Sequence, residues 1–480
     1  MFRRIEFSNL KAFSGDHSVD LAPLTLIYGR NSAGKSSLLQ ALLLLKQTIE
    51  SSDPERPALV IRGPLADLGS VPGIISGHDT DLELKLGAEV DAKDHFGRAT
   101  SEIYGVNLSF QWDQEVRSVR QTGIDVSLDN GLVAAYTRRR EPASARVETP
   151  FQIGRRDARE TFLRWILSEL AAQPRYRLRP GSDARALLDD IEDLVDVFTE
   201  RAMLTSASWG ILPHGPSFVL KEPISQKDEG YKTVLGECED LWWDVLSSLR
   251  FELAGALESL IYLGPLRRAP ERFHVLSGAR RRSVGREGEY TAEILNQNPA
   301  LTTEVNKWLG RLEVPYTLTV IGVQESEVAS TIGDVVVLAL TDTRSGLQVS
   351  PGDVGFGISQ LLPIVVQAIG GTNSTICVEQ PEIHVHPHLQ GHIADLLIEA
   401  ALKGPKNQLV VETHSEHIML RIQSRLRAKE IKPDEIKVLY IDTDEDGLAR
   451  IVPLSLDEHG GFIDEWPEGF FEERFHEIFG

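Results

Sequence analysis

Cysteine is nearly absent from this sequence of 480 residues, which contains only Cys238 and Cys377. Two thiols cannot build a disulfide framework, so we expect a protein of the reducing cytoplasm. Long apolar runs are also absent, because the longest, Leu42–Leu45 and Leu361–Val366, are far shorter than the ~18 residues of a membrane helix. The first residues alternate like a strand, which argues against a signal peptide. We therefore expect no membrane partner.

Positive charge is in deficit, since 50 Lys and Arg face 71 Asp and Glu and the net charge is −21. A chain this acidic does not coat nucleic acid over its whole surface, so any contact with DNA requires a local basic patch. The hydrophobic fraction of 41% and the charged fraction of 25% are those of a globular protein. This composition excludes a mainly disordered chain.

A phosphate-binding loop follows the apolar strand at residues 24–28 and precedes a helix predicted at residues 37–50. The segment fits G-x-x-x-x-G-K-[ST], in which glycines let backbone N–H groups point at phosphate oxygens. Lys35 is expected to reach the β- and γ-phosphates, and the Ser36 hydroxyl to bind Mg²⁺. We predict ATP and Mg²⁺ as cofactors, held by Gly29, Arg30, Asn31, Ser32, Ala33, Gly34, Lys35, Ser36 and Ser37.

The remaining pattern alternates between strands and helices. Residues 82–150 indicate antiparallel strands with a hairpin at Asn130-Gly131, and residues 205–230 read as a loop. Helices are predicted from about 155 to 200, over 236–260 and 359–369, and from 388. Strands are predicted at 260–263, 316–321, 335–340, 375–378 and 408–411.

An acidic residue at the end of a buried strand is the second requirement of a P-loop ATPase, and Glu379 meets it. With the P-loop, this strand resembles the SMC/ABC-type ATPases of the OLD-like AAA group. More narrowly, the sequence is similar to the bacterial family carrying domain of unknown function 3696. The matching segments are Phe7–Phe13, Tyr262–Arg267, Gly355–Pro363, Glu379–Pro387, Glu412–Ser415 and Trp466–Phe471.

The resemblance implies an α/β fold: a two-lobed ABC/SMC-like P-loop ATPase head with a mixed sheet, interrupted by a β-rich and helical insertion. We expect an N-terminal lobe (1–90), a β-rich part (91–150), a helical insertion (151–260) and a C-terminal lobe (261–480). It also implies a head-to-head homodimer or a higher assembly. ATP would then lie between the P-loop of one chain and Gly355, Gly357, Ser359 and Gln360 of the other.

Catalytic roles also follow from the resemblance. Glu379 would hold the metal together with Ser36, and His414 would sense the γ-phosphate. Gln380 departs from the glutamate of better-known ABC heads, and a neutral amide holds a water without accepting its proton. Three explanations stay open: Glu382 supplies the base, hydrolysis is slow, or a partner completes the site. Gly355 also replaces an expected serine.

An arginine cluster at residues 267–286 is the strongest basic feature of the sequence. It either contacts phosphate, in DNA or in a nucleotide, or forms a solvated loop. Zinc binding by His384, His386 and His388 is set aside, because no cysteine or second cluster accompanies them. The cluster comprises Arg267, Arg268, Arg272, Arg280, Arg281, Arg282 and Arg286.

The sequence therefore predicts a dimeric ATPase that hydrolyses ATP slowly. By resemblance, it would sense nucleic acid or phage components and control a separate effector in anti-phage defence. Two alternatives remain. One is a non-hydrolysing, ATP-gated scaffold that cages an effector, which Gln380 favours. The other is a DNA-end-binding repair ATPase, which requires the arginine cluster to bind DNA.

Overall fold

The computed structural model divides the chain into two compact units. The parallel-sheet unit contains residue 1, residues 21–39 and residues 259–480. The antiparallel-sheet unit contains residues 2–20 and 40–258. The structure describes residues 1–51, 58–92, 102–138, 151–172, 183–209, 211–221, 227–269, 271–323 and 333–466.

Six strands form the main sheet of the parallel-sheet unit, in the order β11-β16-β17-β3-β18-β19. The first five are mutually parallel, and β19 pairs antiparallel at one edge. The inner strands are continuously apolar because helices cover both faces of such sheets. The strands are β3 (Leu24–Gly29), β11 (Leu260–Leu263), β16 (Thr375–Glu379), β17 (Gln408–Glu412), β18 (Ile436–Thr443) and β19 (Ala449–Leu454).

Apolar helices pack with this sheet around one core, which contains Leu26, Val365, Leu397 and Val411. A smaller antiparallel sheet of β12 to β15 belongs to the same unit. Cys377 lies in β16 and is fully buried. The helices are α7 (Thr291–Gln297), α8 (Pro299–Arg311), α9 (Phe356–Gly370), α10 (Pro387–Ile398) and α11 (Glu416–Arg427). The strands of the smaller sheet are β12 (His274–Val275), β13 (Tyr316–Val323), β14 (Val335–Asp342) and β15 (Gln348–Val349).

The antiparallel-sheet unit is built on nine strands in the order β10-β9-β8-β7-β6-β5-β4-β1-β2. Every neighbouring pair is antiparallel. Most pairs are consecutive in the chain, but β1 pairs with β4, and three helices lie between β8 and β9. The strands are β1 (Phe2–Ser8), β2 (Asp16–Asp20), β4 (Leu84–Asp91), β5 (Ile103–Asp113), β6 (Ser118–Leu128), β7 (Gly131–Thr137), β8 (Phe151–Gln152), β9 (Ala202–Trp209) and β10 (Leu212–Leu220).

Helices with an apolar stripe accompany this nine-stranded sheet. Trp242 of the long helix α6 is fully buried and donates a hydrogen bond to the Tyr136 hydroxyl, whereas Trp243 is exposed. Cys238 of α6 is buried as well. The helices are α2 (Val71–Ile74), α3 (Arg156–Ala172), α4 (Asp183–Leu187), α5 (Ile191–Arg201) and α6 (Lys227–Glu258). Helix α1 (Lys35–Ile49) begins in the parallel-sheet unit and continues in this one.

Several sequence predictions need correction. The predicted loop at 205–230 contains most of the β9–β10 hairpin, because Pro213, Gly215 and Pro216 lie within strand β10. The β6–β7 turn is formed by Asp129 and Asn130, both with positive φ, and not by Asn130-Gly131. The predicted lobe of residues 1–90 is shared between both units, because β1 pairs with β4. None of the described helices is long and apolar enough to cross a membrane.

Candidate nucleotide site

The P-loop connects the central strand β3 to helix α1. Its backbone turns through positive φ at Gly29 (145°), Ser32 (63°) and Gly34 (105°), values that favour glycine. A Cβ atom on Gly29 would overlap the backbone of Ile441 in the neighbouring strand β18, so only glycine fits there. The loop therefore has the curled backbone and the helix start that a phosphate site requires.

Lys35 and Ser36 are the first two residues of α1, and their side chains have different hydrogen-bond partners. The Lys35 ammonium is buried and donates to the carbonyl oxygens of Gly29 (3.1 Å) and Arg30 (2.6 Å). Burial lowers its pKa, although the carboxylates of Glu412 and Glu382 oppose the shift. The Ser36 hydroxyl donates to Glu412 Oε2 at 2.8 Å. Both side chains therefore face the carboxyl edge of the sheet.

Glu379 ends β16, as the sequence predicts, and its side chain is buried. Its Oε1 accepts a hydrogen bond of 2.7 Å from the Tyr262 hydroxyl on the neighbouring strand β11. Burial and the charge of Glu379 raise the pKa of Tyr262, so this hydroxyl remains a donor at physiological pH. Tyr262 thus orients the carboxylate that was predicted to bind metal.

Gln380 begins the turn after β16 and has a left-handed φ of 45°. Buried Arg267 holds this turn: its guanidinium donates to the carbonyl oxygens of Glu379 (2.7 Å) and Gln380 (3.3 Å). Burial lowers the pKa of Arg267 to about 10, so it is still charged at neutral pH. Arg267 is therefore a clamp on the acidic turn.

Glu382 and His414 are brought together at the ends of β16 and β17. The backbone N–H of His414 donates to Glu382 Oε1 at 2.7 Å. Burial raises the pKa of Glu382. Burial, together with the charge of Lys35, lowers the pKa of His414, so its imidazole is neutral at pH 7. The two predicted catalytic residues thus form one connected turn beside the P-loop lysine.

Glu412 is the residue that the sequence reasoning missed. It ends β17, is 4% exposed, and accepts the hydrogen bond of Ser36. Burial and repulsion from Glu379 raise its pKa to about 7. The signal was present in the sequence, because Glu412 ends an apolar strand just as Glu379 does.

Comparison with known protein families shows which family this chain resembles. The family model described as "AAA domain, putative AbiEii toxin, Type IV TA system" matches residues 24–420, which include the P-loop, Glu379 and His414. The chain belongs to this AAA family. A second model, for the protein of unknown function DUF3696, matches residues 431–479. The expected α/β fold, with a mixed sheet whose central strand β3 leads into the P-loop, is confirmed. No curated protein matches the sequence.

Similar solved structures are heads of SMC proteins. They include the Smc head bound to the C-winged helix domain of ScpA, with 10% identity, a TM-score of 0.42 and coverage of 95% of this chain and 98% of that chain. A Smc head from Pyrococcus furiosus bound to the C-terminal domain of ScpA has 11% identity, a TM-score of 0.42 and coverage of 95% and 96%. The SMC head from Thermotoga maritima has 10% identity, a TM-score of 0.39 and coverage of 95% and 99%.

The segment of residues 355–360, which was expected to contact the nucleotide of a partner chain, lies at the start of helix α9. Gly355 is exposed, and a Cβ on Gly357 would lie 2.7 Å from the carbonyl oxygen of His384. Gln360 is fully buried and exchanges two 3.0 Å hydrogen bonds with the backbone of Arg267. Its predicted contact with a nucleotide therefore needs correction, because its amide is used inside its own chain. Ser359 is buried as well.

The arginine cluster does not form one patch. Arg267 is buried and cannot contact DNA, which corrects the sequence prediction for that residue. Arg272 pairs with Asp353 (2.8 Å), and Arg281 pairs with Glu293 (3.0 Å) and covers the Tyr290 ring. Other members pair with acids or lie exposed: Arg268 with Glu271 (3.1 Å), Arg286 over the Tyr262 ring, and exposed Arg280 and Arg282.

His384, His386 and His388 do not lie on one strand, which agrees with setting a zinc site aside. His384 has a left-handed φ of 62°, and His386 caps the start of α10. His388 lies 3.3 Å from Glu313, and His392 of the same helix lies 4.0 Å from it. Residues 444–448 form the turn between the antiparallel strands β18 and β19. Of the family tail, Trp466 packs on Tyr28 and Tyr440, and residues 467–471 lie outside the described residues.

The residues present fit Mg-ATP. The curled loop and the start of α1 offer backbone N–H groups for phosphate oxygens. The hydroxyl of Ser36 and the carboxylates of Glu379 and Glu412 are the hard oxygen donors that Mg²⁺ takes. All three residues belong to the parallel-sheet unit, and Ser36 already contacts one of the carboxylates.

Proposed function

We propose that this AAA protein binds Mg-ATP and hydrolyses it slowly, and that nucleotide closes a homodimer which controls a separate effector. The observation that carries the ATPase proposal is the contact of Ser36 with a carboxylate at the carboxyl edge of the sheet. It joins the P-loop to the acidic strand ends. The family description, which names a putative toxin of a type IV toxin–antitoxin system, supports a role in defence.

Binding follows from the loop. The P-loop N–H groups and Lys35 would hold the phosphates, and Lys35 would exchange its contacts with the Gly29 and Arg30 carbonyls for phosphate oxygens. Ser36, with a carboxylate, would hold Mg²⁺, which neutralises charge on the β- and γ-phosphates when it is bound. This arrangement positions the triphosphate along the start of α1.

Hydrolysis requires a water whose oxygen attacks the γ-phosphorus while the bond to the bridging oxygen breaks, giving ADP and phosphate. Gln380 can orient that water through its amide but cannot accept its proton. Glu382 lies on the same turn, and its raised pKa suits it to accept the proton. His414, whose backbone N–H donates to Glu382, would respond to the γ-phosphate. Because the residue that follows Glu379 cannot itself accept the proton, we expect slow turnover.

Dimer closure would place the exposed Gly355, at the start of α9, against the phosphates held by a second chain. A sandwich of this kind needs both nucleotides, so ATP binding would close it and hydrolysis would open it. The effector would bind one of the two states. This step rests on the family resemblance and on the exposed helix start.

The first experiment is ATP turnover by the purified full chain, with Lys35→Ala as control, with and without linear duplex DNA. We expect slow turnover that the variant abolishes. The same samples, analysed by light scattering with and without Mg-ATP, should show an ATP-dependent dimer for the wild type only. Turnover equal in both proteins would contradict the proposal.

A second candidate is an ATP-gated scaffold that binds but does not hydrolyse, and the neutral Gln380 favours it. Gln380→Glu discriminates the two. If the missing carboxylate alone prevents hydrolysis, this variant should gain turnover that the wild type lacks. A repair ATPase has less support, because Arg267 is buried and Arg268, Arg272 and Arg281 pair with acids.

A further inference from the structure

Glu412 is the last residue of β17 and lies at the carboxyl edge of the six-stranded sheet. This strand lies between β3, which leads into the P-loop, and β16, which ends in Glu379. The register pairs Glu412 with Glu379 on one side and with Ile27 on the other. Because the carboxyl ends of parallel strands share one edge of the sheet, Glu412 stands between the P-loop and the acidic strand.

Glu412 contacts the expected metal ligand Ser36 directly. Its Oε2 accepts the Ser36 hydroxyl at 2.8 Å, whereas Oε1 of Glu379 is held by Tyr262 at 2.7 Å on the far side of β16. Only 4% of Glu412 is exposed. A buried carboxylate needs a positive partner. Among the described residues whose charges influence Glu412, Lys35 is the cationic one.

The ligand preferences of Mg²⁺ suggest a role for the contact between Ser36 and Glu412. Mg²⁺ takes oxygen ligands in octahedral geometry, commonly one or two carboxylates together with waters and substrate phosphates. A carboxylate that is hydrogen-bonded to a hydroxyl ligand lies within reach of the same ion or of its waters. The ion would take the place of the hydroxyl hydrogen as the positive partner of Glu412.

Glu412 is also linked to the position where the sequence departs from other ABC heads. Its backbone carbonyl accepts the N–H of Gln380 at 2.7 Å. The turn that carries the neutral amide is therefore anchored on the strand that carries the extra carboxylate. The carboxylate that Gln380 lacks is therefore matched by the carboxylate of Glu412 on the neighbouring strand β17, which lies between β16 and β3.

We propose that Glu412 is a metal-binding residue of the nucleotide site, which holds Mg²⁺ together with Ser36 and Glu379. The site then has two carboxylates for the metal, one from each strand end, while Gln380 is left to orient water. This inference rests on the proposed function, since it requires that the site binds Mg-ATP.

The test measures metal binding and not only turnover. Mn²⁺ replaces Mg²⁺ at oxygen sites and is detected by electron paramagnetic resonance. Mn²⁺ is titrated into the full-length protein with a non-hydrolysable ATP analogue, for wild type, Glu412→Gln and Glu445→Gln. The last variant makes the same change at an exposed residue of the same unit. A fluorescent ATP analogue in EDTA measures nucleotide binding without metal, and thermal unfolding checks the fold.

We expect Glu412→Gln to weaken Mn²⁺ binding about tenfold to a hundredfold, whereas metal-free nucleotide binding should not weaken, because the change removes a negative charge beside the phosphates. Glu445→Gln should match the wild type. Unchanged Mn²⁺ affinity in a folded Glu412→Gln protein would overturn the inference, and so would lost turnover with full Mn²⁺ binding, which would make Glu412 a proton acceptor. Failure of the wild type to bind nucleotide, or equal binding by Lys35→Ala, would instead refute the proposed function.

Discussion

The ends of β16 and β17 are neighbours in one sheet, yet they hold their carboxylates by different means. Glu379 is held by residues outside the P-loop: the Tyr262 hydroxyl donates to its side chain, and Arg267 donates to its backbone carbonyl. Glu412 is fixed by Ser36 of the P-loop itself. The first end is pre-organised by the scaffold, whereas the second is coupled to the loop that would bind the nucleotide.

This difference predicts that the two carboxylates respond differently when nucleotide binds. A carboxylate held by scaffold residues keeps its place whether or not nucleotide is present. A carboxylate held by a ligand-binding hydroxyl must rearrange when the hydroxyl takes another partner. We therefore expect changes around Glu379 to affect stability in all states, and changes around Glu412 to depend on pH and on metal.

The largest effect is expected from Arg267→Ala, which removes the clamp on the β16 end. The buried carbonyls of Glu379 and Gln380 lose their charged donor, and nearby acids lose a compensating charge. We expect the free energy of unfolding to fall by about 3–5 kcal/mol, measured by urea denaturation. Arg268→Ala, an exposed control, should cost less than about 1 kcal/mol. Equal losses would show that the clamp is not specific.

Glu412→Gln should change the pH dependence of stability. The pKa of Glu412 is raised to about 7 from an ordinary value of 4.5, so the folded state prefers its protonated form. Its contribution to stability is fully present below pH 4.5 and is lost as the pH rises through 7. The amide mimics the protonated acid. In EDTA, the variant should match the wild type at pH 4.5 and exceed it by up to about 3 kcal/mol at pH 8. Parallel curves would refute this.

Tyr262→Phe should cost about 2 kcal/mol, because a buried carboxylate loses a hydrogen bond from a hydroxyl while the ring is kept. The loss should persist in EDTA and in Mg-ATP, since Tyr262 belongs to the scaffold side of Glu379. Thermal unfolding in both solutions measures it. A loss confined to one solution would break the contrast between the two strand ends.

Ser36→Ala is expected to have the smallest effect without ligand, about 1 kcal/mol, because Ser36 is partly exposed and water can replace its hydroxyl. With metal and nucleotide its effect should grow. A double-mutant cycle with Glu412→Gln in EDTA should show a coupling of at least about 0.5 kcal/mol. Strict additivity would mean that the contact between Ser36 and Glu412 carries no energy.

The P-loop segment and the strand before Glu379 can be recognised in the sequence because each requirement of these patterns is local. Gly29 must curl, Lys35 must follow Gly34, and an apolar strand must precede Glu379. These demands are written in consecutive residues. The strand and helix positions in the parallel-sheet unit follow for the same reason, since buried strands leave continuous apolar runs.

The rest could not be predicted because it depends on which strands become neighbours. Nothing in the residues around Glu412 says that β17 lies between β3 and β16, and only that order brings Glu412 to Ser36. Arg267 looks like one member of a basic cluster, and its burial depends on contacts with Gln360 and the distant β16 turn. The β9–β10 hairpin carries Gly and Pro residues, which made it resemble a loop.

Each unit carries one of the two cysteines of the chain, Cys238 in α6 and Cys377 in β16, and both thiols are buried. Burial also raises their pKa values, so the reactive thiolate is scarce while the fold is closed. A thiol reagent therefore modifies each site only when its surroundings open. The rates of the two modifications, followed by mass spectrometry of peptides, report the opening of each unit separately. The two cysteines thus serve as internal probes of local opening, and bound ATP should lower the modification rate of Cys377 in β16.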